Sequence, residues 1–490
     1  IDFKKGVEFK CYADRKLPHA RVIAIESDRE FGLSVLQRLD QELRERGELF
    51  RAAGVQDVPG YRALEGAKKL PRTLLLIDEF QEFFIEDDQI SQQAAVLLDR
   101  IVRQGRAFGI HAVLGSQTLG GAFTLARATL GQMTVRIALA CNEADAYLIM
   151  DDSNPAPRLL TRPGEGIYND SAGSVEANSP FQVVWMEEQE RNRHLDEIRD
   201  LAENSGKVGG DLVVFEGNAP GDVTQDRFVS RVLSGGPSGD PRMFLGSPNA
   251  IKDSTAVSFS RQSGGNLLFV GPREDVMEAI LPIGLATLRA QIGESGRLIL
   301  FDPRLSEHGP YAERVRMVEG VETPSVKELN GVLVELAAEL KRISDEGSLD
   351  GSAPTFLFIP SLQRHKKLRY EEDFSFSMED DEETKPAKLL NDLICEGPGW
   401  GFHVVTSLDS LNNVNRCLGR KAVGEFEKKV LFQMSATDSA SLIDSGAAAG
   451  LGLSRAVFYD EAEGNAEIFR PYAEAPPGWF AENNGALIRK

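Results

Sequence analysis

The sequence predicts an α/β fold in two copies, each a mainly parallel sheet flanked by helices. Three observations predict it. Short apolar strands alternate with longer amphipathic stretches along the whole chain, the pattern of a parallel sheet with helical crossovers. Strands such as "TLLLI" at Thr73 are apolar at every position after the threonine, as strands buried on both faces are. Four segments of the first half also recur in the second, in the same order. "IDFK" at Ile1 pairs with "FDPR" at Phe301, and "TLLLIDEFQEF" at Thr73 with "TFLFIPSLQRH" at Thr355. "GRAFGIHAVLGSQTL" at Gly105 pairs with "GPGWGFHVVTSLDSL" at Gly397, and "VRIALACNEADAYLIMD" at Val135 with "KKVLFQMSATDSASLID" at Lys428. The offsets are 300, 282, 292 and 293 residues, far longer than the period of a solenoid repeat.

The strands follow in order. Apolar runs place them at 21–25, 73–77, 112–114, 135–140 and 212–215 in the first half. In the second half they fall at 267–270, 297–301, 355–359, 403–406 and 429–433. Apolar residues at helical spacing place helices over 31–52, 89–106, 275–291 and 325–346. Between about Asn192 and Pro241 the pattern breaks into a charged helix followed by Gly/Ser-rich stretches. The division expected is therefore a domain over 1–190, a linker with a lead-in strand over 191–240, and a second domain over 241–490. The acidic run within "RYEEDFSFSMEDDEETKPAK", from Arg369, is expected to be a mobile surface loop.

Composition sets bounds on function. The chain has 490 residues, 42% apolar and 27% charged, with a formal net charge of −20. A surface that is basic all over is excluded, whereas a ring with a basic lining is not. The four cysteines form no CxxC pair and are too sparse for a disulfide framework. No apolar run is long enough to span a bilayer. The chain opens on Ile-Asp-Phe-Lys, and a preceding segment, with or without a membrane anchor, is expected.

Residues with chemistry cluster in the first copy. "LLLIDEF" is an apolar strand ending in Asp78 and Glu79, at the sheet edge where an open α/β fold binds its ligand. Such a pair suits a Walker B site: Asp78 holding Mg²⁺, directly or through water, and Glu79 polarising an attacking water. An ordinary acidic loop is the alternative. The strand "IHAVLGSQ" ends in Ser116 and Gln117, placed to sense a γ-phosphate. Arg106 closes the helix before that strand. It reads either as a cation at the negative helix end or as an arginine finger for a neighbouring subunit.

The second copy differs at these positions. Pro360 and Ser361 replace Asp78 and Glu79, Asp409 replaces Gln117, and Lys429 replaces Arg136. "GGNLLFVGPREDVMEAI", from Gly264, has the strand–glycine–helix grammar of a phosphate loop but lacks its Lys and Ser/Thr. Glu274 and Asp275 stand there instead, where they satisfy the helix dipole and repel phosphate. Gly271 lies 31 residues before Asp302 (302 − 271), so the first copy's matching glycine is expected that far ahead of Asp2.

The five first-copy segments "IDFKKGVEF", "LPHARVIAIESDREF", "LPRTLLLIDEFQEF", "IVRQGRAFGIHAVLGSQTL" and "TVRIALACNEADAYLIMD", followed by "RPGEGIY", resemble the FtsK/SpoIIIE-type motor ATPases of the FtsK–HerA superfamily. The resemblance covers roughly residues 1–185. It implies two RecA-like P-loop-type domains, ATP and Mg²⁺ as cofactors, and assembly into hexameric rings in the family manner. It implies Asp78 as the metal-associated residue, Glu79 as the catalytic Glu, and Gln117 with Ser116 at the nucleotide. Arg106 matches the position that acts in trans in the related conjugation couplers.

The expected function is an ATP-driven translocase of double-stranded DNA, with the first domain catalytic and the second regulatory or substrate-recognising. A branch that exports protein, resembling the EccC ATPase of type VII secretion, is the alternative, and a non-catalytic scaffold a third. The location implied is cytoplasmic, with membrane association through segments outside this sequence. Cations to track DNA phosphates are few: Lys4, Lys5, Lys10 and the segment 364–369.

Overall fold

The computed structural model describes residues 1–4, 9–120, 129–206, 212–235, 239–347, 353–370 and 385–487. The acidic run after Tyr370 and Lys5 lie outside the described residues. The chain divides into two units, Ile1–Gly217 and Asn218–Lys490.

The first unit holds β1 (Val22–Ile25), β2 (Thr73–Ile77), β3 (Ile110–Leu114), β4 (Arg136–Leu139), β5 (Glu165–Asn169), β6 (Ser179–Gln182) and β7 (Val213–Glu216). The second holds β8 (Arg242–Pro248), β9 (Thr255–Ser258), β10 (Leu267–Val270), β11 (Arg297–Leu300), β12 (Val321–Glu322), β13 (Thr355–Ile359), β14 (Phe402–Leu408), β15 (Lys428–Leu431), β16 (Ala456–Asp460) and β17 (Asn465–Pro471). All ten strands read from the sequence are present, within a few residues at their ends.

The second unit is built on one sheet in the order β12-β11-β13-β14-β10-β15-β16-β17-β8-β9. From β12 to β15 the strands are parallel, and from β15 to β9 antiparallel. The parallel strands alternate their side chains between two cores. Phe269, Leu298, Leu300, Phe356, Phe358, Val405, Val430 and Phe432 face the helix Glu274–Ile292. Leu268, Val270, Ile299, Leu357, Ile359 and Val404 face the helices Leu329–Glu346 and Pro386–Glu396. This period of two, apolar on both faces, is why the strands read as unbroken apolar runs. Each such Leu or Phe stabilises the unit by roughly 1.5–3 kcal/mol.

The first unit repeats the parallel half of this plan. Ile1–Phe3 lies between β1 and β2: Asp2 N donates to Ala24 O (2.9 Å), and Asp78 N to Ile1 O (2.8 Å). β2 pairs with β3 in parallel, and β4, β5 and β6 form a separate antiparallel sheet. In the second unit β10 runs between β14 and β15. Among the described residues no strand runs between their counterparts, β3 and β4.

Side-chain exposure follows from that difference. Leu74, Leu76, Val113, Ile137 and Leu139 are 45–60% exposed. Their repeat counterparts Phe356, Phe358, Val405, Val430 and Phe432 are at most 1% exposed, under β10 and its helix.

One expectation is corrected. The strand at 212–215, read as a lead-in to the second domain, forms β7 and pairs in parallel with β1, Val22 opposite Val213. Phe215 is fully buried and stacks on Phe31 with ring centroids 3.9 Å apart. Hydrogen bonding along the open edge of β1, together with this aromatic contact, holds the segment in the first unit.

Candidate functional site

Asp78 and Glu79 follow β2, and Ser116 and Gln117 follow β3, so all four sit past the carboxyl ends of two adjacent parallel strands. The backbone between them is tightly tied. Gly115 N donates to Ile77 O (2.7 Å) and Phe80 N to Gly115 O (3.0 Å). A Cβ on Gly115 would lie 3.0 Å from Asp78 Oδ1, so the glycine leaves room for that carboxylate. The turn beyond, Phe80–Phe84, is pinned by buried Phe80, Phe83 and Phe84. Leu119 N donates to buried Asp145 (2.9 Å), which ties the segment after Gln117 to the helix Glu143–Ile149.

Glu79 adopts the left-handed conformation (φ 54°, ψ 50°), which costs a non-glycine residue about 1–2 kcal/mol. The conformation puts its side chain inside the site. The carboxylate is fully buried. Oε1 accepts from Lys4 Nζ at 2.5 Å, and Oε2 accepts from Gln117 N at 3.2 Å and from Gln81 Nε2. Burial alone pushes this carboxyl's pKa up. The three hydrogen bonds and the Lys4 charge outweigh burial and hold it below the usual glutamate value. Sequence reasoning missed Lys4 and Gln81 as its partners and had assigned Lys4 to phosphates.

The structure brings Asp78, Glu79, Ser116 and Gln117 together and leaves Arg106 apart. Arg106 is exposed in the last turn of the helix Gln89–Phe108, just before β3. It therefore lies at the opposite edge of the sheet, about 16 Å away along a five-residue strand. Within one chain it cannot meet Glu79.

The same strand tips in the second unit carry other groups on one backbone. Ser361 repeats the left-handed geometry of Glu79 (φ 55°, ψ 50°). Its amide donates to Ser407 Oγ at 2.8 Å. Glu274, in the first turn of the helix after Gly271, accepts from Arg364 (2.5 Å) and Ser361 Oγ (3.4 Å). Asp275 pairs with Arg273 (2.8 Å). A Cβ on Gly271 (φ 133°) would lie 2.8 Å from Phe432 Cβ, so the glycine is needed there for close packing. Arg106 aligns with Pro398, and the second copy thus lacks that cation too.

With Glu79 engaged, Asp78 is the one carboxylate of the Asp-Glu pair left for a cation. Among the described residues no group of three His, Cys, Asp or Glu side chains is arranged to hold a metal. A single carboxylate suits Mg²⁺ that keeps waters and phosphate oxygens as its other ligands, and the residues fit that mode. For a triphosphate, the described part of the first unit supplies the acidic side of a site and no glycine cradle.

Parts of the chain are similar to known proteins. The model of the FtsK/SpoIIIE family matches residues 1–120. The secretion protein EccC5 of Mycobacterium marinum is 32% identical over 184 residues, 36% of this chain and 12% of EccC5. The DNA translocase FtsK of Streptococcus pyogenes serotype M6 is 26% identical over 250 residues, 47% of this chain and 30% of FtsK. The chain thus spans less than a third of either relative's length. The cytoplasmic domain of the type VII secretion ATPase EccC from Thermomonospora curvata superposes on 100% of this chain and 58% of its own, with a TM-score of 0.63 at 16% identity. That likeness establishes a shared fold.

Proposed function

We propose, on the premise that this chain is of the FtsK/SpoIIIE motor ATPase type, that its first unit hydrolyses ATP and its second does not. The observation that carries the reading is the pair of strand tips: Asp-Glu beside Ser-Gln in one unit, Pro-Ser beside Leu-Asp on the same backbone in the other. Asp78 would hold Mg²⁺ on the phosphates, which supplies charge neutralisation there. Glu79 takes the proton of the attacking water, and Gln117 orients at the γ-phosphate. Arg106, at the far sheet edge, serves a neighbouring subunit's site in a ring, most simply a hexamer. The cradle is a strand, glycine turn and helix seated between β3 and β4, as β10 and the helix Glu274–Ile292 are between β14 and β15.

Exported protein is the substrate favoured here, ahead of duplex DNA. Two of the candidate phosphate contacts are occupied: Lys4 pairs with Glu79, and Arg364 with Glu274. The likeness to the secretion ATPase EccC also extends over the whole of this chain. The second unit then serves regulation or substrate recognition, on the cytoplasmic side of the membrane. The DNA reading retains one specific support, the 250-residue similarity to FtsK. ATP hydrolysis by the full gene product, with and without duplex DNA at low salt, separates the two. Stimulation by DNA favours the translocase. Stimulation only by small helical-hairpin proteins that bind the 218–490 half favours export.

A further inference from the structure

We propose that Lys4 is a positioning residue for Glu79: it fixes the carboxylate in the orientation from which Glu79 takes the proton of the attacking water. The proposal rests on the reading of Glu79 as the base. Lys4 follows the extended segment Ile1–Phe3, which bridges to β2 at Asp2 and Asp78, through a turn in which its own amide donates to Asp2 Oδ1 (3.0 Å), and its side chain reaches the tip of β2. Its ammonium meets Glu79 Oε1, while Gln117 N and Gln81 hold Oε2. The carboxylate is thus gripped at both oxygens, and the segment carrying Lys4, the base and the sensor residue form one hydrogen-bonded unit. A buried carboxylate without its cation would be an uncompensated charge and would turn away.

The second unit supplies the control. Asp302 Oδ1 accepts from Arg304 N at 3.0 Å, so the same turn presents the same kind of side chain. Ser361 at the Glu79 position offers no carboxylate, and Arg304 turns instead to Asp302 and Glu278, both at 2.7 Å. The cation stays with the fold, whereas its reach to the neighbouring strand tip occurs only where the glutamate stands.

Steady-state ATP hydrolysis by the full-length protein tests this with Lys4→Met, Lys4→Arg, Glu79→Gln and the double variant Lys4→Met/Glu79→Gln. Lys4→Met is expected to lower kcat at least about tenfold with KM for ATP little changed. Lys4→Arg should restore most of it, and the double variant should be no slower than Glu79→Gln alone. A raised KM at unchanged kcat would assign Lys4 to the nucleotide and overturn the proposal, as would additive losses or no loss. If Lys4→Met does not fold, Lys4→Gln takes its place, keeping a donor without the charge. Full activity in Glu79→Gln removes the base reading and this proposal together. An inactive Glu79→Gln beside an unaffected Lys4→Met removes the proposal alone.

Discussion

The two units differ least in backbone and most in what that backbone carries. Glu79 and Ser361 share a left-handed conformation to within a degree, yet one side chain is a buried, thrice-bonded carboxylate and the other a hydroxyl. The strain at Glu79 is therefore a property of the strand-to-turn geometry and no evidence of catalysis in itself. The chemistry resides in the side chains, and the second unit shows that they can be replaced while the sheet persists. At the phosphate-loop position, Arg364 and Ser361 on Glu274 fill with protein groups the place of an anionic ligand's partners.

The largest expected effect separates the two tips chemically. Asp78→Asn should remove Mg²⁺-dependent hydrolysis, a loss of about 10²-fold or more in kcat, whereas Pro360→Ala at the matching position should leave turnover intact. Titrating Mg²⁺ against each variant's rate checks it.

The two sheet faces separate by stability. Phe358→Ala should destabilise the second unit by about 3–5 kcal/mol, because it empties a sealed core. Its counterpart Leu76 is 45% exposed, and Leu76→Ala in this chain should cost within about 0.5 kcal/mol. Denaturant unfolding reads both. A cost at Leu76 that rises toward the core value in the full gene product would show the face covered there.

A third difference titrates. His403 is buried between Phe259 and Phe356 and donates Nδ1–H to Gly265 O at 2.6 Å. Burial pushes its pKa down to about 4. Above pH 6.5 the imidazole is neutral folded or unfolded. Below it the unfolded chain takes the proton first, so stability falls with pH until the folded form also protonates near 4, a loss of about 3 kcal/mol. His403→Phe should flatten that part of the second unit's pH–stability curve. The matching His111 is exposed.

The smallest effect concerns the Glu274 cluster. Arg364 is half exposed, and Arg364→Ala should cost under about 1 kcal/mol by thermal melting. A larger loss would mean that the pair holds the loop in place.

Much of this was legible in the chain. Parallel strands announce themselves as apolar runs, so "TLLLI" and "TFLFI" gave β2 and β13, although only β13 is buried on both faces here, and the Asp-Glu after the first gave the candidate site. The antiparallel additions β8, β9, β16 and β17 were missed: β8 and β17, "RMFLGSP" and "NAEIFRP", mix polar residues and proline with apolar ones, β9 is only "TAVS", and β16, "AVFYD", is a short apolar run that was passed over. β7 was found but assigned to the wrong unit, since nothing local says which edge a strand will join. Lys4 could not be matched to Glu79 either. The two are 75 residues apart, and the bond exists only because Ile1–Phe3 lies beside β2.

The most direct measurement is steady-state ATP hydrolysis by the full-length protein, with Glu79→Gln and Ser361→Ala compared side by side. A catalytic first unit and a degenerate second predict a loss of about 10²-fold or more in kcat for Glu79→Gln and a rate within about twofold of the parent for Ser361→Ala. Equal losses in the two variants, or a Glu79→Gln protein that still turns over at the parent rate, would contradict that division of labour.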